Sequence, residues 1–296
     1  MNLSWDEVRD AALTAEALGF DEFFTSDHLM GVAGFDPEKA GIDAVGLLLA
    51  LAPLTSTIRL GCLVSPVTYR GLVILLRQLQ AVDVISGGRA VAGLGAGWNR
   101  DEHERFGFEF GTIKERLDML EAACQQTLTL WPQLRPRAPQ EHVRMLIAGG
   151  SPRVLRMAVR YADGWHVMGT PAFVEAKLAE LQATAKATPR ERPQPLETTV
   201  GVIATLSDDA AVIEMTRKRM AETASQAAAA PSNHDRAQGR SAVDGDEYST
   251  VFVGGEDELR RLVQRYRDSG VDRLILSLPK PYSRATLERL ARAAMS

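Results

Sequence analysis

Apolar positions along the chain alternate between the spacing of helices and that of buried strands. In residues 5–18 apolar side chains recur on one helical face, and Ser4 and Glu7 have the spacing of a capping box. Short apolar runs such as "FDEFFTS" and "AVAGLGAG" follow and predict strands. This alternation continues to the end of the chain, so the pattern predicts an α/β fold with a parallel sheet.

The pattern gives seven strands separated by helices. The predicted strands are "FDEFFTS", "TIRLGCLVSP", "AVAGLGAG", "VRMLIAGG", "DGWHVMG", "TTVGVIATL" and "DRLILSL". The predicted helices cover about residues 5–18, 43–54, 71–85, 113–131, 151–162, 171–187, 208–228, 256–270 and 284–294. So many units favour one (β/α)8 TIM-type barrel over residues 1–296. An open doubly wound sheet is the alternative, but in "GLGAGW" Trp98 replaces the third glycine of its dinucleotide fingerprint.

No strand precedes the first helix in this pattern. "MNL" is shorter than the ~5 residues of a typical strand. We therefore expect a barrel that lacks its first strand in this chain, either because the chain starts inside its domain or because one barrel position is filled unusually. The polar segment of about residues 225–248 has no periodicity, so we expect a flexible loop there.

Composition narrows the classes of function. Hydrophobic residues make up 45% and charged residues 24%, and the net charge is -4, which fits a globular protein without a basic surface for nucleic acid or membranes. No run approaches the ~20 apolar residues of a membrane span. Cys62 and Cys124 lie inside predicted elements and are interpreted as core residues of a cytoplasmic protein. No set of His, Cys, Asp and Glu has metal-ligand spacing, so no metal is expected.

Polar residues at the C-terminal ends of the strands are the candidates for chemistry, because parallel barrels place their active sites there. Asp27 and His28 directly follow the first predicted strand. These two residues fit a loop cap and a proton-exchanging pair equally well. His166, inside a strand, is interpreted as a core residue, and Glu102 with His103 as part of a solvated helical face.

Two glycine-rich turns lie at other strand ends. Gly149 and Gly150 precede Ser151, a candidate helix N-cap, and Pro152. This arrangement predicts an anion site to which Arg153 adds charge, although an ordinary strand-to-helix turn fits the same residues.

The glycines of "GLGAG" fit either a second cofactor turn or close packing at the barrel rim. Trp98 and Asn99 follow this turn and are suited to flank and hydrogen-bond a planar ring. Packing under the next helix explains Trp98 equally well.

Several stretches together carry a resemblance to a known family. They include "AEALGFDEFFTSDHL", "TSTIRLGCLVSPVTYR", "ISGGR…GLGAGWN…E" and "YADGW". In these stretches the sequence resembles the luciferase-like monooxygenase superfamily, and within it the coenzyme F420-dependent oxidoreductases. The resemblance implies a (β/α)8 barrel, a homodimer, and hydride transfer between F420 and a small organic substrate. The alternatives are FMN-dependent monooxygenation on the same scaffold, a non-catalytic cofactor-binding barrel, and a phosphate-dependent isomerase, for which no suitable base is found.

The resemblance also implies roles for individual residues. His28, with Asp27, would lie against the deazaflavin ring and assist proton transfer as hydride moves to or from its C5. The Leu63–Val64 bond would be a non-prolyl cis peptide that supports the ring from behind. The ring edge would be lined by Ala96, Gly97 and Trp98, and the phosphate of the cofactor tail would be held by Gly149, Gly150, Ser151, Pro152, Arg153 and Val154. Sugar-phosphate dehydrogenases of this family have Glu where Trp98 stands, which argues against glucose-6-phosphate as the substrate.

Overall fold

The computed structural model describes residues 4–31, 41–218, 251–278 and 283–295. In chain order the strands are β1 (Glu22–Thr25), β2 (Arg59–Cys62), β3 (Ser65–Pro66), β4 (Ala90–Gly95), β5 (Arg144–Ala148), β6 (Gly164–Met168), β7 (Glu197–Leu206), β8 (Val251–Gly254) and β9 (Arg273–Ser277). The helices are α1 (Trp5–Ala17), α2 (Ala44–Leu51), α3 (Leu72–Ser86), α4 (Arg100–Phe106), α5 (Ile113–Leu130), α6 (Pro152–Tyr161), α7 (Pro171–Ala187), α8 (210–218), α9 (Glu256–Asp268) and α10 (Arg284–Ala294).

All strand pairs of the described chain are parallel and belong to one curled sheet. The sheet has the order β1-β2-β4-β5-β6-β7-β8, with β3 on β4 and β9 on β7. The long strand β7 pairs with β9 through residues 199–203 and with β8 through residues 203–206. No ladder joins β9 to β1 within these described segments. The predicted barrel-type α/β fold is confirmed, and the opening between β9 and β1 agrees with the expected lack of a first strand.

Charged side chains connect the strands across the N-terminal end of this opening. Arg144, at the start of β5, reaches Glu22 at the start of β1, with Nε and Oε1 2.9 Å apart. Arg273, at the start of β9, binds Asp21 beside β1 at 2.8 Å and Glu197 of β7 at 2.6 Å. In the described chain the start of β9 is therefore joined to the residue before β1 by the Arg273–Asp21 ion pair, where no backbone ladder is formed.

Within the described residues the predicted helices and strands lie close to the observed ones, and local capping explains several boundaries. Residues 219–228 of the helix predicted at 208–228 lie outside the described residues. The capping box of Ser4 and Glu7 starts α1, and Asp43 caps α2. The predicted strand at 57–66 is divided into β2 and β3 by a break at residues 63–64. The pattern missed α4 and β8. The predicted loop at 225–248 lies outside the described residues.

The core lies between the sheet and the surrounding helices. It includes the fully buried Leu48, Leu76 and Trp165. Cys62 and Cys124 are buried and free, which confirms their interpretation as core residues. None of the described helices combines the length and apolar character needed to cross a bilayer.

Candidate active site

Side-chain contacts join the loop after β1 to the loops after β3 and β4. Arg70, which follows β3, bonds with Asp27, and Glu102, which follows β4, bonds with His28. The structure therefore brings Asp27 and His28 into one cluster at the C-terminal end of the sheet, the end where barrel enzymes place their sites.

Asp27 is a buried carboxylate with only 3% of its surface exposed. Its Oδ1 accepts a hydrogen bond from Arg70 Nη2 at 2.8 Å. Asp27 Oδ2, Arg70 Nη1 and Ser65 Oγ are buried and have no hydrogen-bond partner in the described part of the chain. Because buried polar atoms are nearly always paired, these three atoms indicate partners beyond the described part of the chain, such as the polar edge of a ligand or bound water.

His28 is held by the carboxylate of Glu102. Its Nδ1 lies 2.9 Å from Glu102 Oε2. The Tyr69 hydroxyl and the Leu29 N–H also donate to this carboxylate. Burial acts to raise the pKa of Glu102, but the hydrogen bonds from His28, Tyr69 and Leu29 outweigh it and the pKa is lowered. An ionised carboxylate only accepts hydrogen bonds, so the donor in this contact is the Nδ1–H of His28.

The prediction of a solvated face for Glu102 and His103 is wrong. Both side chains are completely buried, with 0% exposure. The first turn of α4 is covered by the loops after β1 and β3, and Asn99 caps it by accepting from the Glu102 N–H. The charged sequence of α4 has no apolar periodicity from which burial could be deduced. The usable signal was the Asn99-x-x-Glu102 spacing directly after a strand, which places a carboxylate in the first turn of a helix beside the strand ends.

His103 is a structural histidine behind this cluster. Its Nδ1 lies 2.6 Å from the Asn99 carbonyl oxygen, and its Nε2 lies 2.7 Å from Thr68 Oγ1. Nδ1–H therefore donates to the carbonyl while Nε2 accepts from the hydroxyl, which is the pattern of a neutral imidazole. Burial lowers the pKa of His103.

Trp98 lies beside His28 at the rim. The two ring centroids are 5.6 Å apart with an interplanar angle of 73°. Asn99 is buried, and its Nδ2 donates to Glu102 at 3.3 Å. In the described structure the Asn99 side chain thus caps and braces α4, while Trp98 is half-exposed next to the candidate histidine.

The Leu63–Val64 peptide bond is cis, as the resemblance implies. It lies between β2 and β3 and packs directly on β4. A Cβ atom added to Gly95 would lie 2.5 Å from Val64 Cγ2, and one added to Gly93 would collide with the Cys62 carbonyl oxygen. These glycines of "GLGAG" therefore permit a close approach of the backbone, which fits their interpretation as packing residues.

The second glycine turn follows β5. Gly149 has φ +131° and donates its N–H to the His166 carbonyl oxygen at 3.0 Å. Ser151 is the N-cap of α6 and Pro152 is its first residue, as the spacing predicts. The first turn of α6 thus begins at the same sheet end as the cluster around His28.

Arg153 does not supply free charge to this turn. Its guanidinium binds Asp118 and Glu121 of α5, each at 2.6 Å. The expectation that Arg153 adds positive charge to an anion site is therefore corrected, because two carboxylates already balance it.

His166 is a core residue, as its position in a strand indicates. It is buried, and its Nδ1 lies 2.9 Å from Thr199 Oγ1. Burial lowers the pKa of His166 to about 4, so the ring is neutral.

Within the described residues no group of three or more His, Cys, Asp or Glu side chains could hold a metal ion.

Comparisons with known proteins agree with this fold and show the family of the chain. A family model described as luciferase-like monooxygenase matches residues 2–273, and the chain belongs to this family. An F420-dependent glucose-6-phosphate dehydrogenase from Kineococcus radiotolerans is 24% identical over 297 residues, covering 92% of this chain and 87% of that relative.

Solved structures show the same fold. An F420-dependent secondary alcohol dehydrogenase in complex with an F420-acetone adduct matches with a TM-score of 0.79 at 15% identity, covering 99% of this chain and 96% of the other. The monooxygenase RslO1 from Streptomyces bottropensis matches with a TM-score of 0.74 at 21% identity, covering 98% and 92% respectively. These likenesses confirm the predicted fold class.

Proposed function

We propose that this protein is an oxidoreductase that uses coenzyme F420 and transfers hydride between its deazaflavin and a small organic substrate. The observation that carries the proposal is the half-buried His28, held through Nδ1 by the buried Glu102 at the C-terminal end of the sheet. Membership of the luciferase-like family supports it, as does the F420 dependence of the Kineococcus relative and of the secondary alcohol dehydrogenase.

The residues present fit a bound deazaflavin. Its ring system has a polar edge with carbonyl and N–H groups, which would pair with the unpaired buried atoms of Asp27, Ser65 and Arg70. The cis segment Leu63–Val64 would support one face of the ring, and the ring edge would be lined by Ala96, Gly97 and Trp98. When bound, F420 supplies a carrier that accepts or gives a hydride at C5.

The protein's own residues would then handle the proton. His28 Nε2 would accept the substrate proton during oxidation, or return it during reduction. Glu102 would balance the positive charge that His28 gains. Asp27 and Arg70, paired at 2.8 Å, would fix the loop that carries His28.

The turn after β5 would hold the phosphate of the cofactor tail. Its range, residues 149–154, ends in the first turn of α6, where backbone N–H groups lack partners within the helix. Because Arg153 is already paired, the proposed binding there depends on backbone N–H groups and on Ser151.

FMN-dependent monooxygenation is the second candidate, because the family is described as monooxygenases and RslO1 shares the scaffold. Titration of the purified protein with F420 and with FMN, followed by fluorescence quenching, separates the two. We expect saturable quenching of F420 and weaker binding of FMN. Tight binding of FMN with no response to F420 would reject the leading proposal, and no binding of either would reject both.

A turnover assay distinguishes an enzyme from a non-catalytic cofactor-binding barrel. A panel of small alcohols, ketones and aldehydes, with oxidised or reduced F420 as the partner, should yield turnover visible as a change in F420 absorbance. Glucose-6-phosphate is not an expected substrate, because the resemblance implies a Glu at the position of Trp98 in sugar-phosphate dehydrogenases of the family. F420 binding without turnover of any substrate class would favour the non-catalytic barrel.

We also propose that the protein is a homodimer and that it is located in the cytoplasm. The resemblance implies the dimer, and α3 offers a surface for it because Val73, Ile74 and Ile85 are exposed. The two buried, free cysteines suit a reducing compartment. Light scattering coupled to size-exclusion chromatography should give twice the 32.3 kDa chain mass, and a mass of one chain would exclude the dimer.

A further inference from the structure

We propose that Glu102 is the positioning residue of this site. It fixes His28 as the tautomer that carries its proton on Nδ1, and it thereby leaves Nε2 as the atom that exchanges protons with the substrate. The catalytic part of this inference rests on the proposed function, whereas the tautomer is a property of the protein alone.

One carboxylate holds both the side chain and the backbone of the His28 loop. Oε2 of Glu102 accepts from His28 Nδ1 at 2.9 Å and from the Tyr69 hydroxyl. Oε1 accepts from the backbone N–H groups of Leu29 and Met30, the two residues that follow His28. Rotation of the imidazole is restricted, because the ring is anchored at Nδ1 and the following backbone is anchored to the same group.

The neighbouring acid cannot perform this task. Asp27 is adjacent to His28 in the chain, but its Oδ1 is bonded to Arg70. Among the described residues Glu102 has no Lys or Arg partner within ion-pair distance, and the imidazole of His28 lies at that distance from it. Glu102 is therefore an ionised, fully buried carboxylate whose charge is directed at His28. A buried acid that orients a histidine and balances its charge is a known way to prepare a general base.

Three variants separate positioning from simple packing. Glu102→Gln keeps the shape of the side chain. Its neutral amide cannot accept from Nδ1–H and at the same time balance the charge of a protonated imidazole. Tyr69→Phe removes another donor to the same Oε2 and leaves the His28 contact in place. Glu104→Gln is the matched control, because Glu104 lies on the same helix with its side chain 64% exposed.

The first readout is the tautomer of His28, measured by nitrogen-15 NMR of the cofactor-free protein. We expect the Nδ1–H form in the wild type, in Tyr69→Phe and in Glu104→Gln, and loss of this form in Glu102→Gln. A wild-type ring with its proton on Nε2 would overturn the inference. Because this readout needs no variant of Glu102 and no cofactor, it remains decisive if Glu102→Gln fails to fold.

The second readout is steady-state kinetics with F420. For Glu102→Gln we expect kcat to fall about 10- to 100-fold, while the F420 dissociation constant changes by less than about threefold. Glu104→Gln should match the wild type. Unchanged kcat in a folded Glu102→Gln would overturn the inference. Absence of F420 binding to the wild type would reject the proposed function instead, and the NMR result would still decide the role of Glu102.

Discussion

Asp27 and Arg70 form a buried ion pair 2.8 Å long directly beside His28. Each side chain keeps one buried polar atom without a partner in the described chain. Asp27 therefore pairs with Arg70 and has one oxygen left for the proposed cofactor edge, whereas His28 is oriented by Glu102. The adjacent residues Asp27 and His28 therefore have separate partners, although their proximity in sequence suggested one pair.

Replacing Asp27 by Asn should destabilise the protein and weaken F420 binding. The change leaves the Arg70 guanidinium buried without its counter-charge, which costs about 3 kcal/mol of the free energy of unfolding. Urea denaturation measures this loss. Asp10→Asn is the control, because Asp10 forms an exposed pair with Arg9 that is worth little. Equal stabilities of the two variants would contradict the buried role of Asp27.

Replacing His28 by Ala should abolish most turnover and leave cofactor binding nearly intact. Removal of a general acid–base group typically lowers kcat by about 100-fold or more. The F420 dissociation constant should change by less than about threefold, because the polar edge and the cis segment are untouched. His142→Ala, at an exposed loop position, should behave as the wild type. Full activity of His28→Ala would mean that another group handles the proton.

Replacing Gly95 by Ala should disturb the cis segment. The new Cβ would lie 2.5 Å from Val64 Cγ2, a distance at which one of the two residues must shift. We expect a loss of about 1–3 kcal/mol in the free energy of unfolding together with weaker F420 binding. The double variant Gly95→Ala/Val64→Ala removes the colliding methyl group and should recover part of the loss. No recovery in the double variant would show that the contact with Val64 is not the cause.

Acid should destabilise the fold partly through His166. The pKa of this buried ring is about 4, against 6.5 for an ordinary histidine. Below pH 6.5 the unfolded chain binds a proton that the folded chain refuses, so stability falls as the pH drops from 6.5 to about 4. At pH 4.5 this group alone should cost roughly 2–3 kcal/mol relative to pH 7. His166→Asn, which retains a donor near Thr199, should show a correspondingly smaller loss in urea denaturation, and an identical loss would contradict the assignment.

Most of the fold could be predicted from the sequence because local and periodic signals agree. Capping residues such as Ser4 and Ser151 mark helix starts, and apolar runs mark the strands of the parallel sheet. The division of the strand at 57–66 could not be obtained from periodicity. It depends on the cis bond at Leu63–Val64, which only the family resemblance suggested.

The site was predictable only in part. His28 and the glycine turns were selected as candidates because they follow predicted strands. Glu102 was missed because its burial arises from contacts with residues that precede it by 33 and 74 positions, Tyr69 and His28. Arg153 was overvalued for the same reason, since its carboxylate partners on α5 are not visible in the local sequence. Whether a charged side chain can bind a ligand depends more on its tertiary partners than on its residue type.

The most direct test of the proposed function is a crystal structure of the wild-type protein with F420. We expect the deazaflavin to stack on the Leu63–Val64 segment with its polar edge at Asp27, Ser65 and Arg70. Its C5 side should face His28, and the tail phosphate should lie on residues 149–154. Density for F420 elsewhere on the protein, or a ring whose C5 faces away from His28, would contradict the assignment of this site as the place of hydride transfer.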